Sequence, residues 1–278
     1  MNGNDKIKTS NLNHTGIFFE FACFDFIKKF EPFIEETQVP FTLTYGDFQP
    51  INGVIDFLCL YHKQNYPLVY FVIECKKSDP AQKNWIFFKR YEQESQSCIF
   101  YRSATKPTVD LHIVQPLFSD VCDRGYQVVD SRPTSAYREQ TKDQIYNAAI
   151  QSSAGLKSIV QDNDNGRFKE AFKMKREDGA LVFYVPIVIT TAPLFVCDVG
   201  ENKIDIRTGE AGDEDAQYRE KKWIEYSVPI PENLRVGKVD RNNVFIVNSQ
   251  NMEEFFNTLV SKLHLFEIIL KKDFMKNF

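Results

Sequence analysis

Asp56, Glu74 and Lys76 are the residues of this sequence whose types and spacing point to chemistry. They lie on two runs, GVIDFLCLY (53–61) and LVYFVIECK (68–76), separated by the short linker HKQNYP. Both runs are rich in β-branched and aromatic residues, the composition of strands, and the linker supplies a turn. A hairpin centred on Asn65 sets Asp56 opposite Glu74, and directly opposed residues of an antiparallel pair project from one face. The strand period of two adds Lys76 to that face. Two acids on otherwise apolar strands repel each other and lose hydration unless a cation or a proton joins them. A divalent cation is the economical partner, because Mg²⁺ takes a few carboxylate oxygens together with water and substrate phosphate. The backbone carbonyl of Cys75, between Glu74 and Lys76, offers one more oxygen ligand. Lys76 then stands where an amine can orient or deprotonate an attacking water and stabilise charge developing on a phosphate. The chemistry expected is phosphodiester hydrolysis. The competing account is an edge hairpin whose solvent face merely pairs acid with lysine across the strands.

These residues need elements to hold them. Before the hairpin, IFFEFACFDFIKKF (17–30) has helical character, with Asn13 and Thr15 available as caps. On a helical wheel Asp25, Lys28 and Lys29 gather on one side, while Glu20 falls beside Ile17, Phe24 and Ile27. One carboxylate therefore faces the apolar side, and Glu31, Glu35 or Glu36 could take its place. FTLTY (41–45) reads as a strand preceding the hairpin. After it, the Ser78-Asp79-Pro80 start signal predicts a helix over 81–96, followed by strands at 98–102 and 111–118. The polar stretch 119–136 is a plausible boundary, and a long helix is expected over about 137–160. Beyond it, ALVFYVPIVIT, PLFVCDV and VFIVN (244–248) look like buried strands, and 252–272 has helical apolar spacing.

Asp56, then Glu74-Cys75-Lys76 on the next strand, after a helix bearing Glu20, resembles the PD-(D/E)XK nuclease superfamily. The order of elements agrees with the resemblance, which covers roughly residues 13–118. It implies a restriction-endonuclease-like α-β-β-β-α-β core, an α/β fold with a mixed central sheet flanked by helices. Residues 1–125 would form that core, and 126–278 a C-terminal α/β extension or lobe. It also implies Mg²⁺, with Mn²⁺ able to replace it, held by Asp56, Glu74, the Cys75 carbonyl and, directly or through water, Glu20. Lys76 would act in catalysis, and nucleic acid, DNA favoured, would be the substrate. Members often place a Gln or Lys of the following helix at the site, which here suggests Gln82 or Lys83 without choosing between them. Restriction and phage defence are common roles among members, so a homo-oligomer or a defence-system partner protein is the kind of assembly implied. One departure is that Val54-Ile55 precedes Asp56 where the family's name has a proline. A catalytically silent nucleic-acid or protein-binding module on the same scaffold, or a nuclease subunit of a larger assembly, are the rival readings.

The rest of the sequence sets bounds. Its 278 residues are 43% hydrophobic, 26% charged and 14% aromatic, a globular composition with enough apolar material for a sizeable core. A formal charge of −4 excludes a globally basic nucleic-acid coat, though a local basic cleft is invisible to that sum. Basic clusters at Lys76-Lys77, Lys83, Lys89-Arg90, Arg167 to Arg176 and Arg219 to Lys222, with Trp85 and Trp223 nearby, offer phosphate contacts and stacking surfaces, or simply solvated faces. The polar N-terminus and the absence of a long apolar run lead us to expect a cytoplasmic protein without a membrane partner. Six cysteines without a CxxC pair suggest reduced core thiols, and four scattered histidines give no zinc pattern. Asp198 and Asp205 could face each other across a turn, but no lysine follows at the right spacing, so a structural pair is expected there. No Walker loop, dinucleotide-binding glycine triplet or nucleophile elbow is present.

Overall fold

The computed structural model describes residues 16–30, 33–43, 51–78, 84–89, 97–103, 110–114, 117, 121–128, 135–162, 181–199, 204–205, 207–208, 210–212, 216–236 and 239–276. Three helices lie among them: α1 (Ile17–Lys28), α2 (Ser135–Asp162) and α3 (Met252–Lys276). The strands of the first half are β1 (Phe33–Leu43), β2 (Ile51–Tyr61), β3 (Leu68–Lys76), β4 (Asn84–Lys89), β5 (Ser97–Ser103), β6 (Asp110–Val114) and β7 (Val121–Val128). The second half adds β8 (Leu181–Thr190), β9 (Leu194–Val199), β10 (Ile204–Asp205), β11 (Glu210–Ala211), β12 (Ala216–Lys221), β13 (Trp223–Pro229) and β14 (Arg241–Asn248).

The protein is α/β, built on a large mixed sheet. Its order is β1-β2-β3-β8-β14-β13-β7-β4-β9-β12, with β5 joining β8 and β6 joining β5, while β10 and β11 form a separate ribbon. Strands from the two halves of the chain interleave, since β8 lies between β3 and β14 and β7 lies between β13 and β4. β3 and β8 run parallel over their whole common length and are almost wholly buried. That explains their unbroken apolar runs, because a strand covered on both faces has no polar side to present.

Side-chain alternation splits the core into two layers. On one face, Tyr70, Val72, Tyr184 and Val188 pack with Ala148, Ala149 and Leu156 of α2. On the other, Phe71, Ile73, Val185 and Ile187 pack with Cys23 and Ile27 of α1 and with Phe255, Phe256 and Leu259 of α3. Small residues let α2 approach the sheet closely. Ser152, buried, donates from Oγ to the Val72 carbonyl at 2.9 Å and reaches that of Ile187 at 3.3 Å, bridging β3 and β8. Cys23, Cys59, Cys75, Cys122 and Cys197 are buried as free thiols.

Three expectations from sequence need correction. Asn84–Lys89 is a strand, not part of a helix over 81–96, pairing antiparallel with β7 and parallel with β9. Trp85 and Phe87 are buried and Ile86 and Phe88 only partly so, a period-two pattern masked in the sequence by the capping signal upstream. Residues 121–128 of the polar stretch are a strand inside the sheet, with Gly125 packed under Phe87. The first strand begins at Phe33 rather than at residue 41, and it tolerates Pro40 because β1 is the sheet edge. Glu35 and Glu36 consequently belong to β1, opposite Cys59 and Leu58, and are not helical acids. No helix among the described residues is long and apolar enough to cross a membrane.

Candidate metal centre

The β2–β3 hairpin turns through Asn65, whose φ of 65° is the left-handed conformation that asparagine tolerates, and Tyr66 N–H closes the turn on the Lys63 carbonyl at 3.2 Å. The paired ladder runs from Tyr61 opposite Val69 to Phe57 opposite Ile73. Its register, continued by one residue, sets Asp56 against Glu74. At that point the strands part. The Cys75 N–H donates instead to Asp56 Oδ2 at 2.7 Å, so a carboxylate occupies the gap where the ladder would have continued. In a strand, a residue's N–H and C=O point to the same side, and the Cys75 carbonyl therefore also looks towards Asp56.

The split has a local cause in β2. Phe57 and Cys59 face the α1–α3 layer, whereas Ile55 joins Leu58 and Leu60 in the α2 layer. Strict alternation would put Ile55 with Phe57, so the strand changes face at Asp56. The neighbouring edge strand shows the same disturbance: β1 pairs Thr37 with Phe57 and Val39 with Ile55, skipping Gln38, whose φ is 49°. The register is the same on both sides of the break, so Gln38 stands opposite Asp56 and both residues leave the ladder together without an inserted residue.

Glu74 and Lys76 share one face of β3, with Lys76 Nζ donating to Glu74 Oε1 at 2.6 Å. Glu74 is buried and Lys76 about one-third exposed, so the amine stands nearer the solvent and the acid behind it. α1 brings the third acid. Gly16 takes the N-cap with φ 83°, and a Cβ there would touch the Lys77 side chain at 3.8 Å, so the first turn of the helix is docked on the end of β3. Cys23 and Ile27 bury themselves one and two turns later. Glu20 sits in that first turn, partly buried. Asn13 and Thr15, the caps expected from sequence, lie outside the described residues.

The electrostatics follow from crowding three acids around one amine. Burial, then the charge of Asp56, pushes Glu74 up to about 7 against the pull of Lys76, and Glu20 adds to the repulsion. Burial also raises Asp56, opposed by the Cys75 N–H and by Lys76. Glu20 is raised by burial and by Asp56, again opposed by Lys76. Glu20, Asp56, Glu74 and Lys76 thus form one electrostatic cluster. The Cys75 thiol is not part of it in a chemical sense, being buried on the other face beside Cys23, and burial holds its pKa well above the ordinary value.

Among the described residues, no set of three or more His, Cys, Asp or Glu side chains stands close enough together to hold a metal ion by itself. The donor chemistry nevertheless suits a hard divalent cation. Asp56 has Oδ1 and Glu74 has Oε2 beyond the bonds described above, the Cys75 carbonyl faces Asp56, and the deficit of positive charge is what a cation would correct. Two carboxylates and a carbonyl leave the remaining positions to water and a phosphate.

Other candidates are dispersed. Gln82, Lys83, Glu31, Arg90 and the 167–176 cluster lie outside the described residues. Arg219 to Lys221 end β12, seven strand positions from β3, roughly 33 Å along the sheet. Trp85 is buried, so it offers no surface on which a base could stack. Asp198 pairs with Arg219 at 3.5 Å and Asp205 with Arg207 at 3.6 Å, so the two acids belong to different strand pairs and do not face each other. Sequence reasoning missed Gln38, whose positive φ marks the break in the β1 ladder opposite Asp56; nothing in its local sequence marks it. Comparison of the chain with protein-family models, with curated proteins and with solved structures returned no match.

Proposed function

We propose that this protein is a divalent-metal-dependent nuclease of the PD-(D/E)XK type, acting on nucleic acid with DNA favoured. The observation that carries the reading is the convergence of Glu20, Asp56, Glu74 and Lys76 where β2 parts from β3. Asp56, Glu74 and the Cys75 carbonyl would hold Mg²⁺ or Mn²⁺, with Glu20 joining directly or through water. When bound, the cation supplies Lewis-acid charge at the phosphate and lowers the pKa of water. The chain's own residues do the rest. Cys75 N–H fixes the Asp56 carboxylate and favours its ionised form. Lys76 opposes the burial that would neutralise Glu74, and an ammonium has three donors of which Glu74 takes one. The others are suited to orient an attacking water and a phosphate oxygen, or to offset charge on the leaving group.

The test is direct: purified protein incubated with double-stranded DNA, single-stranded DNA and RNA, with Mg²⁺ or Mn²⁺ and with EDTA. Cleavage that requires metal and is abolished by Asp56→Ala supports the reading; cleavage that survives Asp56→Ala points to another site or a contaminant. A second reading, a catalytically silent binding module on this scaffold, is favoured by the lack of a complete three-ligand set among the described residues. It expects salt-dependent nucleic-acid binding without cleavage by parent or variant. A nuclease subunit of a larger defence assembly would cleave only when its partner is added.

A further inference from the structure

We propose that Gly155 of α2 is a positioning residue for Asp56, acting through Ile55. For catalysis this rests on the nuclease reading above, but the structural claim stands independently. Ile55 is the residue that β2 turns onto the α2 face when its alternation breaks at Asp56, and it is buried there. The space it enters belongs to Gly155. A Cβ on Gly155 would fall 2.7 Å from Ile55 Cγ1 and 2.9 Å from Val72 Cγ1, distances at which something must shift, and 3.1 Å from Ile55 Cδ1.

The two neighbours differ in their freedom to move. Val72 is locked between β2 and β8, and its carbonyl holds the Ser152 hydroxyl of the same helix. Ile55 lies beyond the last β2–β3 pair and is laddered on one side only, to Val39 of the edge strand, next to the break at Gln38. Added volume at position 155 therefore falls on Ile55, and Ile55 is bonded directly to Asp56. Returning Ile55 towards ordinary alternation would rotate Asp56 out of the gap and break its bond from Cys75 N–H. The missing side chain of Gly155 thus creates the slot that keeps the strand flipped and the carboxylate aimed.

Gly125 supplies the control. Its Cβ would be comparably crowded, 2.9 Å from Phe87 Cε1 and 3.4 Å from Ile145 Cγ2, on the same α2 layer but on β7, away from Asp56. The experiment compares Gly155→Ala and Gly125→Ala by NMR on the metal-free protein, reading the Cys75 amide proton. In Gly155→Ala it should lose the shift of a carboxylate-bonded amide and exchange about tenfold faster or more, as expected when a hydrogen bond to a charged group is lost. In Gly125→Ala it should keep its shift. Gly155→Ala/Ile55→Ala, which restores room in the slot, should recover the parent signal, and it carries the test if the single variant does not fold. A parent-like Cys75 amide in Gly155→Ala, equal changes in both glycine variants, or no recovery in the double variant would overturn the proposal. Cleavage assayed alongside should fall in kcat with the lost amide signal; a parent that cleaves nothing refutes the nuclease reading while the amide readout still decides this one.

Discussion

Two buried glutamates, each within reach of a lysine, have opposite surroundings in this molecule. Glu267 of α3 accepts from the Leu181 N–H at 3.0 Å and ion-pairs with Lys271 Nζ at 3.1 Å, with His264 Nδ1 3.8 Å from its other oxygen. It fastens the last helix to the start of β8, and each of these three groups is a donor or a potential cation. Glu74 is paired with Lys76 at 2.6 Å, yet Asp56 and Glu20 oppose its charge. One site is electrostatically closed and the other is left short of positive charge. Folding stability rewards the first arrangement and is reduced when Glu74 ionises in the second, so the second is the place to look for a ligand that supplies the missing charge.

The comparison breaks most sharply at Lys76. Lys76→Ala should retain metal binding while lowering kcat by about 10²- to 10⁴-fold, the usual cost of losing a general acid/base group. Single-turnover cleavage at saturating DNA and Mg²⁺ measures this, and a parent-like rate would reduce Lys76 to a structural partner of Glu74. Glu267→Ala should do the converse. Lys271 is 39% exposed and returns to water, but the buried Leu181 N–H loses its acceptor, and an unsatisfied buried donor costs about 1 to 3 kcal/mol. The loss should appear in urea denaturation, with cleavage by the remaining folded protein unchanged.

The third prediction concerns pH. Glu74 is raised from an ordinary 4.5 to about 7, so the folded, metal-free protein holds a proton that the unfolded chain has released across that window. Its contribution to stability is full below pH 4.5 and is lost as pH rises to about 7, roughly 3 kcal/mol in all. Denaturation in EDTA across this range should show the decline. Glu74→Gln should flatten it, and added Mg²⁺ should offset it in the parent by binding the ionised carboxylate. A parent profile with no fall, or one that rises, would mean that Glu74 is not short of positive charge. The smallest effect is expected at Glu20, which feels Asp56 and Lys76 from a partly exposed position. Glu20→Gln should lower cleavage about 10- to 100-fold, the range for a residue supporting a metal site from its outer shell, with metal affinity by calorimetry as the companion measurement.

Much of the site's frame can be read from the sequence because it is local. The hairpin register follows from a turn at Asn65 and a side-chain period of two, and it brings Glu74 and Lys76 to one face whatever else the chain does. The first helix is legible for a similar reason, since its apolar spacing is continuous over Ile17–Lys28. The segment after the hairpin misleads because NWIFFK is short, and a nearby capping signal competes with a two-residue alternation that only β7 and β9 stabilise.

What the sequence by itself determined is therefore the set of groups and their order along the hairpin. How those groups are aimed was decided by residues distant in the chain. Asp56 turns into the gap beside Cys75 because β2 changes face there, where Gln38 of β1 breaks the ladder on one side and the empty place at Gly155 of α2 receives Ile55 on the other. The insertion of β8 beside β3, which buries Glu74, likewise joins segments separated by a long stretch of chain. Periodicity reports which face a side chain favours; where two strands part, and which helix fills the space, is a matter of packing volume that no local pattern contains.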